Sequence, residues 1–208
     1  MNKTAKSGSV KRCPWVDLSK PDYVEYHDAE WGVPVTDDKI LFEFITLESA
    51  QAGLSWYTIL KKRAGYRKAF VDFDVQKVAR FNSRSVARLM KNAEIVRNRL
   101  KIEAAISNAA RFIDVQEEFG SFASYLWGFV GDAPIVNKFK KRADFPATTK
   151  VSDTVAKDLK RRGFKFFGST TAYAHFQATG LVNDHTVNCF RRQQILDSYP
   201  VRLGQKAR

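Results

Sequence analysis

Apolar positions recur along most of the chain with a helical period, and no stretch alternates long enough to make a convincing strand. The densest signal is Lys39–Trp56. There Leu41, Ile45, Glu48 and Ala52 fall on one face of a helix, and every member of that stripe is apolar except Glu48. A carboxylate on a core-facing stripe is costly to desolvate unless it is paired or hydrogen-bonded. Two readings stand: a partly exposed or salt-bridged glutamate, or a carboxylate set in a cavity to receive a ligand's donors. Asp37-Asp38 put acids at the positive end of this helix, and Gly53 supplies a C-cap. Ser55-Trp56-Tyr57 then starts another helix beside the same region.

The same period organises the flanks. Over Pro21–Trp31, Tyr23, Tyr26, His27 and Glu30 share a face, which places Tyr26 and His27 side by side on the interior. Trp56–Phe70, Asp74–Phe81 and Ser83–Lys91 read as helices, the last capped at Asn82-Ser83. A long helix over Arg97–Phe119 carries the stripe Leu100, Ala104, Ile106, Ala110 and Ile113, and ends at Gly120. Phe122–Val130 is a short aromatic helix. Residues 131–151 hold Pro134, Pro146 and the basic run Lys138–Arg142 without periodicity, an irregular exposed loop. Ser152–Arg162 is expected to be helical, capped by Ser152 or Asp153, with Val155 and Leu159 inward. Gly163–Gly168 is too short and glycine-flanked for a helix, and Ser169–Thr179 is helical again, stopped by Gly180.

Two helices about a tight turn make a helix–hairpin–helix pattern over residues 152–180. Gly163, Phe164, Lys165 and Gly168 lie in a turn whose backbone N–H groups can meet an anion, aided by the next helix's dipole. Residues 157–165 carry five basic side chains and one acid. They suit a sequence-independent grip on a DNA phosphate, or else are the solvated face of an ordinary hairpin. Further on, His185 and Cys189 stand four residues apart, one above the other if the segment is helical.

Charge narrows the partners. Thirty-five basic against 22 acidic residues leave +13, which favours a polyanion, usually nucleic acid, over a small acidic molecule. A hydrophobic content of 44% in 208 residues supports one domain with a real core, placed at 12–189 in two helical lobes. Residues 1–11 are expected to be a disordered basic tail, and the polar, basic 190–208 a fraying one. No apolar run reaches the roughly 18 residues of a membrane span, and the N-terminus lacks the apolar core of a secretory signal. The expectation is a monomeric cytoplasmic protein of bacterial type.

With only Cys13 and Cys189 there is no disulfide framework. Cys13, His27, His185 and Cys189 have the composition of a closed structural zinc site. Buried thiols and core histidines are the alternative. Four protein ligands would leave a metal no open position, so the ion would tie one end of the chain to the other. His175 is spaced outside that set and belongs to the second hairpin helix.

Several segments together resemble the type I 3-methyladenine DNA glycosylases. They are Arg12-Cys13-Pro14-Trp15, Tyr26-His27-Asp28 with Glu30–Pro34, Leu47-Glu48 with Gln51–Trp56, Lys61-Lys62-Arg63, Arg162–Phe166 with Gly168, and Gly180–His185. The resemblance spans about Arg12 to Cys189. It implies an all-α helix–hairpin–helix fold and release of 3-methyladenine from alkylated double-stranded DNA, leaving an abasic site without a lyase step. It also implies one structural zinc on Cys13, His27, His185 and Cys189. Glu48 would contact the flipped base, Tyr26 and Trp56 would line its pocket, and Gly163–Gly168 would touch the DNA backbone. Ser49-Ala50 depart from the glycine or polar amide pictured there in relatives. A non-catalytic, zinc-stapled DNA-binding module would use the same hairpin and charge, but has no need of Glu48 beside Tyr26 and Trp56.

Overall fold

The computed structural model describes residues 10–199. The expected tail over 1–11 falls almost wholly outside that span, as does the chain beyond Tyr199. The described chain is mostly helical, as the periodicity predicts. Its helices are α1 (Pro21–Glu25), α2 (Asp38–Gln51), α3 (Trp56–Ala69), α4 (Val75–Ala79), α5 (Ser83–Met90), α6 (Arg99–Phe119), α7 (Phe122–Gly128), α8 (Lys150–Arg161), α9 (Ser169–Ala178) and α10 (Phe190–Ser198). A π-helical stretch, Tyr26–Glu30, continues α1. The one sheet among the described residues pairs Ile135–Val136 (β1) in parallel with Val182–Asn183 (β2). Strands of two residues are too short to show a period. No described helix is long and apolar enough to cross a membrane.

The central helix is α2. The Asp37 carboxylate caps it, accepting from the Lys39 and Ile40 N–H groups. Every residue from Leu41 to Ala50 is buried, so the helix runs through the interior rather than presenting a single stripe. It packs against α3, α6, α7 and α9. Its Asp38 carboxylate also accepts from the Phe122 and Ala123 N–H groups at 2.8 Å, capping the start of α7.

Four expectations are corrected. The buried face of α6 includes Ile102, Ala105, Ala109, Phe112 and Val115, while Leu100 is 64% exposed. Phe112 decides this rotation: its ring stacks on Phe122 at 4.1 Å and meets Phe42 at 5.3 Å, more contact than the Leu100 stripe could bury. Helix α8 starts earlier than expected because Thr149 caps it, and Ser152 returns the bond to the Thr149 N–H at 2.8 Å. The segment carrying His185 and Cys189 is an irregular connection between β2 and α10, not a helix. The predicted fraying does not begin at Phe190, because Phe190–Ser198 is helical with Ile195 buried.

Gly180 lets α9 stop against the chain that leads into α2. Its φ is +74°, and a Cβ there would lie 2.4 Å from the Pro34 nitrogen. The Val35 N–H donates to the Thr179 carbonyl at 3.0 Å across this approach.

Candidate active site and metal centre

Two buried acids on α2 have opposite surroundings. Glu43 accepts from Arg63 at 2.7 Å and Arg67 at 2.8 Å, and Arg63 also reaches Glu30 at 2.6 Å. Glu48, further along the helix, is 4% exposed, and its Oε2 has no partner among the described residues. The salt-bridged reading of a buried glutamate thus describes Glu43, and Glu48 is the carboxylate left open. Burial pushes the Glu48 pKa well above the ordinary carboxylate range. A buried carboxyl without a partner is a costly feature unless a ligand completes it.

Glu48 lines a cavity of about 380 Å³ with Tyr26, Trp56, Trp15, Gln51 and Gln177. The Tyr26 and Trp56 rings lie 5.5 Å apart, inclined at 46°. They are adjoining walls, too close to admit a ring between them, so a base can lean on each but is not sandwiched by the pair. Trp56 is backed by Phe44 at 6.2 Å and 18°, and the Arg63 guanidinium sits 5.2 Å from the Phe44 ring. The π-helical turn presents Tyr26 to the cavity and its neighbour His27 to the cysteines.

Sequence reasoning missed Trp15, Gln177, Arg142, Phe145 and Pro146, which also line the cavity. The last three come from the segment read as an exposed loop. That loop is held: the Asp144 carboxylate accepts from the Lys140 and Lys141 N–H groups at 2.8 and 3.1 Å, and the Phe139 and Phe145 rings meet at 5.1 Å. The two phenylalanines in and beside the basic run were the available signal.

The donor atoms of Cys13, His27, His185 and Cys189 all lie within 4.8 Å of one another, and all four residues are buried. Cys189 Sγ is 3.5 Å from His27 Nε2 and 3.3 Å from His185 Nδ1, and Cys13 Sγ is 3.5 Å from His185 Nδ1. A tetrahedral ion with thiolate and imidazole ligands separates S and N by about 3.5 Å. Both imidazoles are fixed in the matching tautomer. His27 Nδ1 faces the Asp28 carboxylate at 2.7 Å, and His185 Nε2 faces the Trp31 carbonyl at 2.8 Å, leaving His27 Nε2 and His185 Nδ1 to the cluster. Arg12 in turn holds Asp28. Gly32, at φ +79°, backs the His185 ring, which a Cβ would meet at 3.0 Å. The Cys189 thiol is pushed down by its hydrogen bond with Cys13, and by His185 and His27. The group can hold a metal.

In the hairpin turn, α8 and α9 pack on each other with Phe164 and Phe167 buried. Asn108 of α6 grips the turn, its Oδ1 accepting from the Lys165 N–H at 2.8 Å and its Nδ2 donating to the Lys165 carbonyl at 2.9 Å. The Gly163 and Phe164 N–H groups donate to the Lys160 and Leu159 carbonyls. Gly163, Phe164 and Lys165 therefore shape the turn, while the Lys165 side chain and Gly168 stay exposed. His175 is on α9, outside the cluster, as its spacing predicted. Asp184 is buried, accepting from Asn137, Tyr173 and Gln177.

A helical body with an aromatic-walled cavity beside a carboxyl that no described residue satisfies has room for a small, flat ligand that donates hydrogen bonds. Residues 15–192 match the family described as methyladenine glycosylase, and the chain belongs to that family. It is 48% identical to DNA-3-methyladenine glycosylase 1 of Escherichia coli (strain K12), over 86% of this chain and 96% of that one. The fold is similar to 3-methyladenine DNA glycosylase I from Staphylococcus aureus, with a TM-score of 0.85 and 37% identity, covering 89% of this chain and 98% of that one. It is also similar to a variant of 3-methyladenine DNA glycosylase I solved in complex with 3-methyladenine, with a TM-score of 0.81 and 38% identity, covering 83% and 93% of the two chains.

Proposed function

We propose that this protein is a DNA glycosylase that flips 3-methyladenine out of alkylated duplex DNA and hydrolyses its N-glycosidic bond. The observation that carries the reading is Glu48, buried at the cavity with an oxygen that no described residue satisfies. A base must leave the stack before a cavity can close on it. Methylation at N3 makes adenine a cation, weakens the bond between N9 and the sugar carbon, and makes the base a good leaving group. Ionised Glu48 then holds the cation and accepts its N–H groups in charge-assisted hydrogen bonds. Tyr26 and Trp56 offer ring faces to the positive purine, worth ~0.5–2 kcal/mol each. Water attacks the sugar carbon as the N9 bond breaks. The bond's electron pair neutralises the departing base, and the water's proton goes to solvent, leaving an abasic site. No lysine lines the cavity among the described residues, which supports hydrolysis without a covalent lyase step.

The names of the relatives and the neighbour solved with the free base support this substrate. We infer that the metal is zinc, one ion held by Cys13, His27, His185 and Cys189. With four protein ligands it would stabilise the fold and take no part in the chemistry. The hairpin with Lys165 and Gly168, and the net charge of +13, support DNA as the partner. The protein would act as a monomer in a bacterial cytoplasm.

The test is Glu48→Gln, which keeps shape and removes charge. Release of 3-methyladenine from methylated DNA is expected to fall by about 10²-fold or more, with folding and metal content unchanged. A folded variant that releases base at the wild-type rate removes Glu48 from the mechanism.

A further inference from the structure

We propose that Gln177 selects among methylated purines, and that Asp184 sets which end of its amide the base meets. The inference rests on the glycosylase reading above and says which purine the cavity prefers. Gln177 stands on α9 and lines the cavity. Its Nε2 donates to Asp184 Oδ2 at 2.8 Å. The same carboxylate accepts from the Tyr173 hydroxyl at 2.6 Å and from Asn137 Nδ2 at 2.6 Å. Asp184 is 1% exposed.

Three donors converge on Asp184, whose two oxygens act only as acceptors in this arrangement. Gln177 must therefore turn its NH2 toward Asp184, and its Oε1 faces the other way. That oxygen accepts from no described residue and is not among the sealed-off polar atoms. With Gln177 on the cavity wall, a bound base would meet two acceptors, the Glu48 carboxylate and the Gln177 amide oxygen. A purine cation with a 6-amino group can donate to such a site. A 6-oxo purine cation places its own oxygen against an acceptor and leaves both unpaired, the kind of mismatch that discriminates well. Asp184 is then a positioning residue, acting through Gln177. It is buried, its oxygens are engaged, and it does not itself line the cavity.

The experiment uses duplex DNA treated with a methylating agent, so that 3-methyladenine and 3-methylguanine compete in one tube. The readout is the ratio of kcat/KM for the two bases, which a general loss of stability does not move. Wild-type protein is expected to favour 3-methyladenine. Gln177→Met, of similar size and without the amide, should lower that preference about tenfold. Asp184→Asn should also lower it, because the amide that replaces the carboxylate can donate to Gln177 and let Gln177 turn its own NH2 inward. If Asp184→Asn does not fold, Gln177→Met decides alone. Folded Gln177→Met with the wild-type ratio overturns the proposal. Wild-type protein that releases neither base sinks the glycosylase reading itself, and the selectivity with it.

Discussion

At the scale of single residues, the role proposed for Glu48 would trade stability for recognition. Burial raises the Glu48 pKa and so favours the neutral acid, while only the anion attracts a cationic base. A carboxyl whose folded pKa lies above its unfolded value stabilises the fold below the unfolded pKa. That contribution is lost as pH rises through the folded one. Glu48→Gln should therefore unfold at higher temperature than wild type in alkaline buffer while excising less. The kcat/KM profile of the wild type should show an acid limb above the ordinary glutamate range, which the variant lacks. His175 carries the opposite sign. Both its ring nitrogens are buried with no partner among the described residues, and burial pushes its pKa down to about 3 from 6.5. The unfolded chain takes up that proton near pH 6.5 and the folded one not until far lower, so stability falls as pH drops through that window. His175 alone contributes a slope of up to about 1.4 kcal/mol per pH unit there. His175→Leu is expected to flatten the urea-melt stability between about pH 6 and 4 relative to wild type. An unchanged slope would assign the acid lability to other groups.

At the scale of elements, the C-terminal end of α2 matters most, because Glu48 lies in its last turn. Lys101 of α6 holds that end: its Nζ donates to the Ala50 carbonyl at 2.8 Å and also to the Ala52 carbonyl. Lys101→Met removes a cation from the negative end of the helix and should cost about 1–2 kcal/mol in a urea melt. Excision should fall as well, because the turn after α2 loosens beneath Glu48. Lys68→Met is the control. Its ammonium is 3.8 Å from Glu94 on an exposed surface, and its loss should be nearly neutral. The elements also mark how far the sequence can be read. Helices α2, α3 and α9 are legible because breakers and caps stand at their ends: Asp37, Gly53, Ser55, Gly180. The face of α6 is not legible from period alone, because the bulk of Phe112 sets the rotation. Tyr26 and Trp56 are placed at the pocket by resemblance to the family, whereas Glu48 is legible because a lone charge among apolar positions is rare. Gln177, Arg142 and Phe145 are not, because a cavity wall built by an irregular loop and one polar helix residue has no period to read.

At the scale of the whole molecule, the buried side chains form two clusters, a large one around α2 and a smaller one of Cys13, Tyr26, Trp31, Phe44, Ala178 and Cys189. The second is built largely from the two ends of the chain, and the cavity opens at its edge, with Tyr26, Trp31 and Ala178 common to both. Other ties also cross between these ends: the Phe190 N–H to the Lys11 carbonyl at 3.0 Å, His185 Nε2 to the Trp31 carbonyl, the Arg12 guanidinium 5.7 Å from the Phe190 ring, and the Trp31 and His185 rings 4.7 Å apart. The proposed zinc therefore closes a loop from Cys13 to Cys189, and on the chain-entropy argument a cross-link of that span is worth about 5 kcal/mol. It also fixes His27, and through the π-helical turn the adjacent Tyr26. Metal analysis of freshly purified, reduced protein is expected to find one zinc per chain. A strong chelator should lower the melting temperature and speed amide exchange in residues 12–31 and 183–195, while α6 keeps its protection. Excision should fall in step with the loss of zinc and return when it is restored, because Tyr26 loses its anchor while Glu48, on α2, keeps its own. Protein that is metal-free as purified, or whose exchange pattern the chelator leaves unchanged, would show that the two ends are held by the aromatic cluster alone.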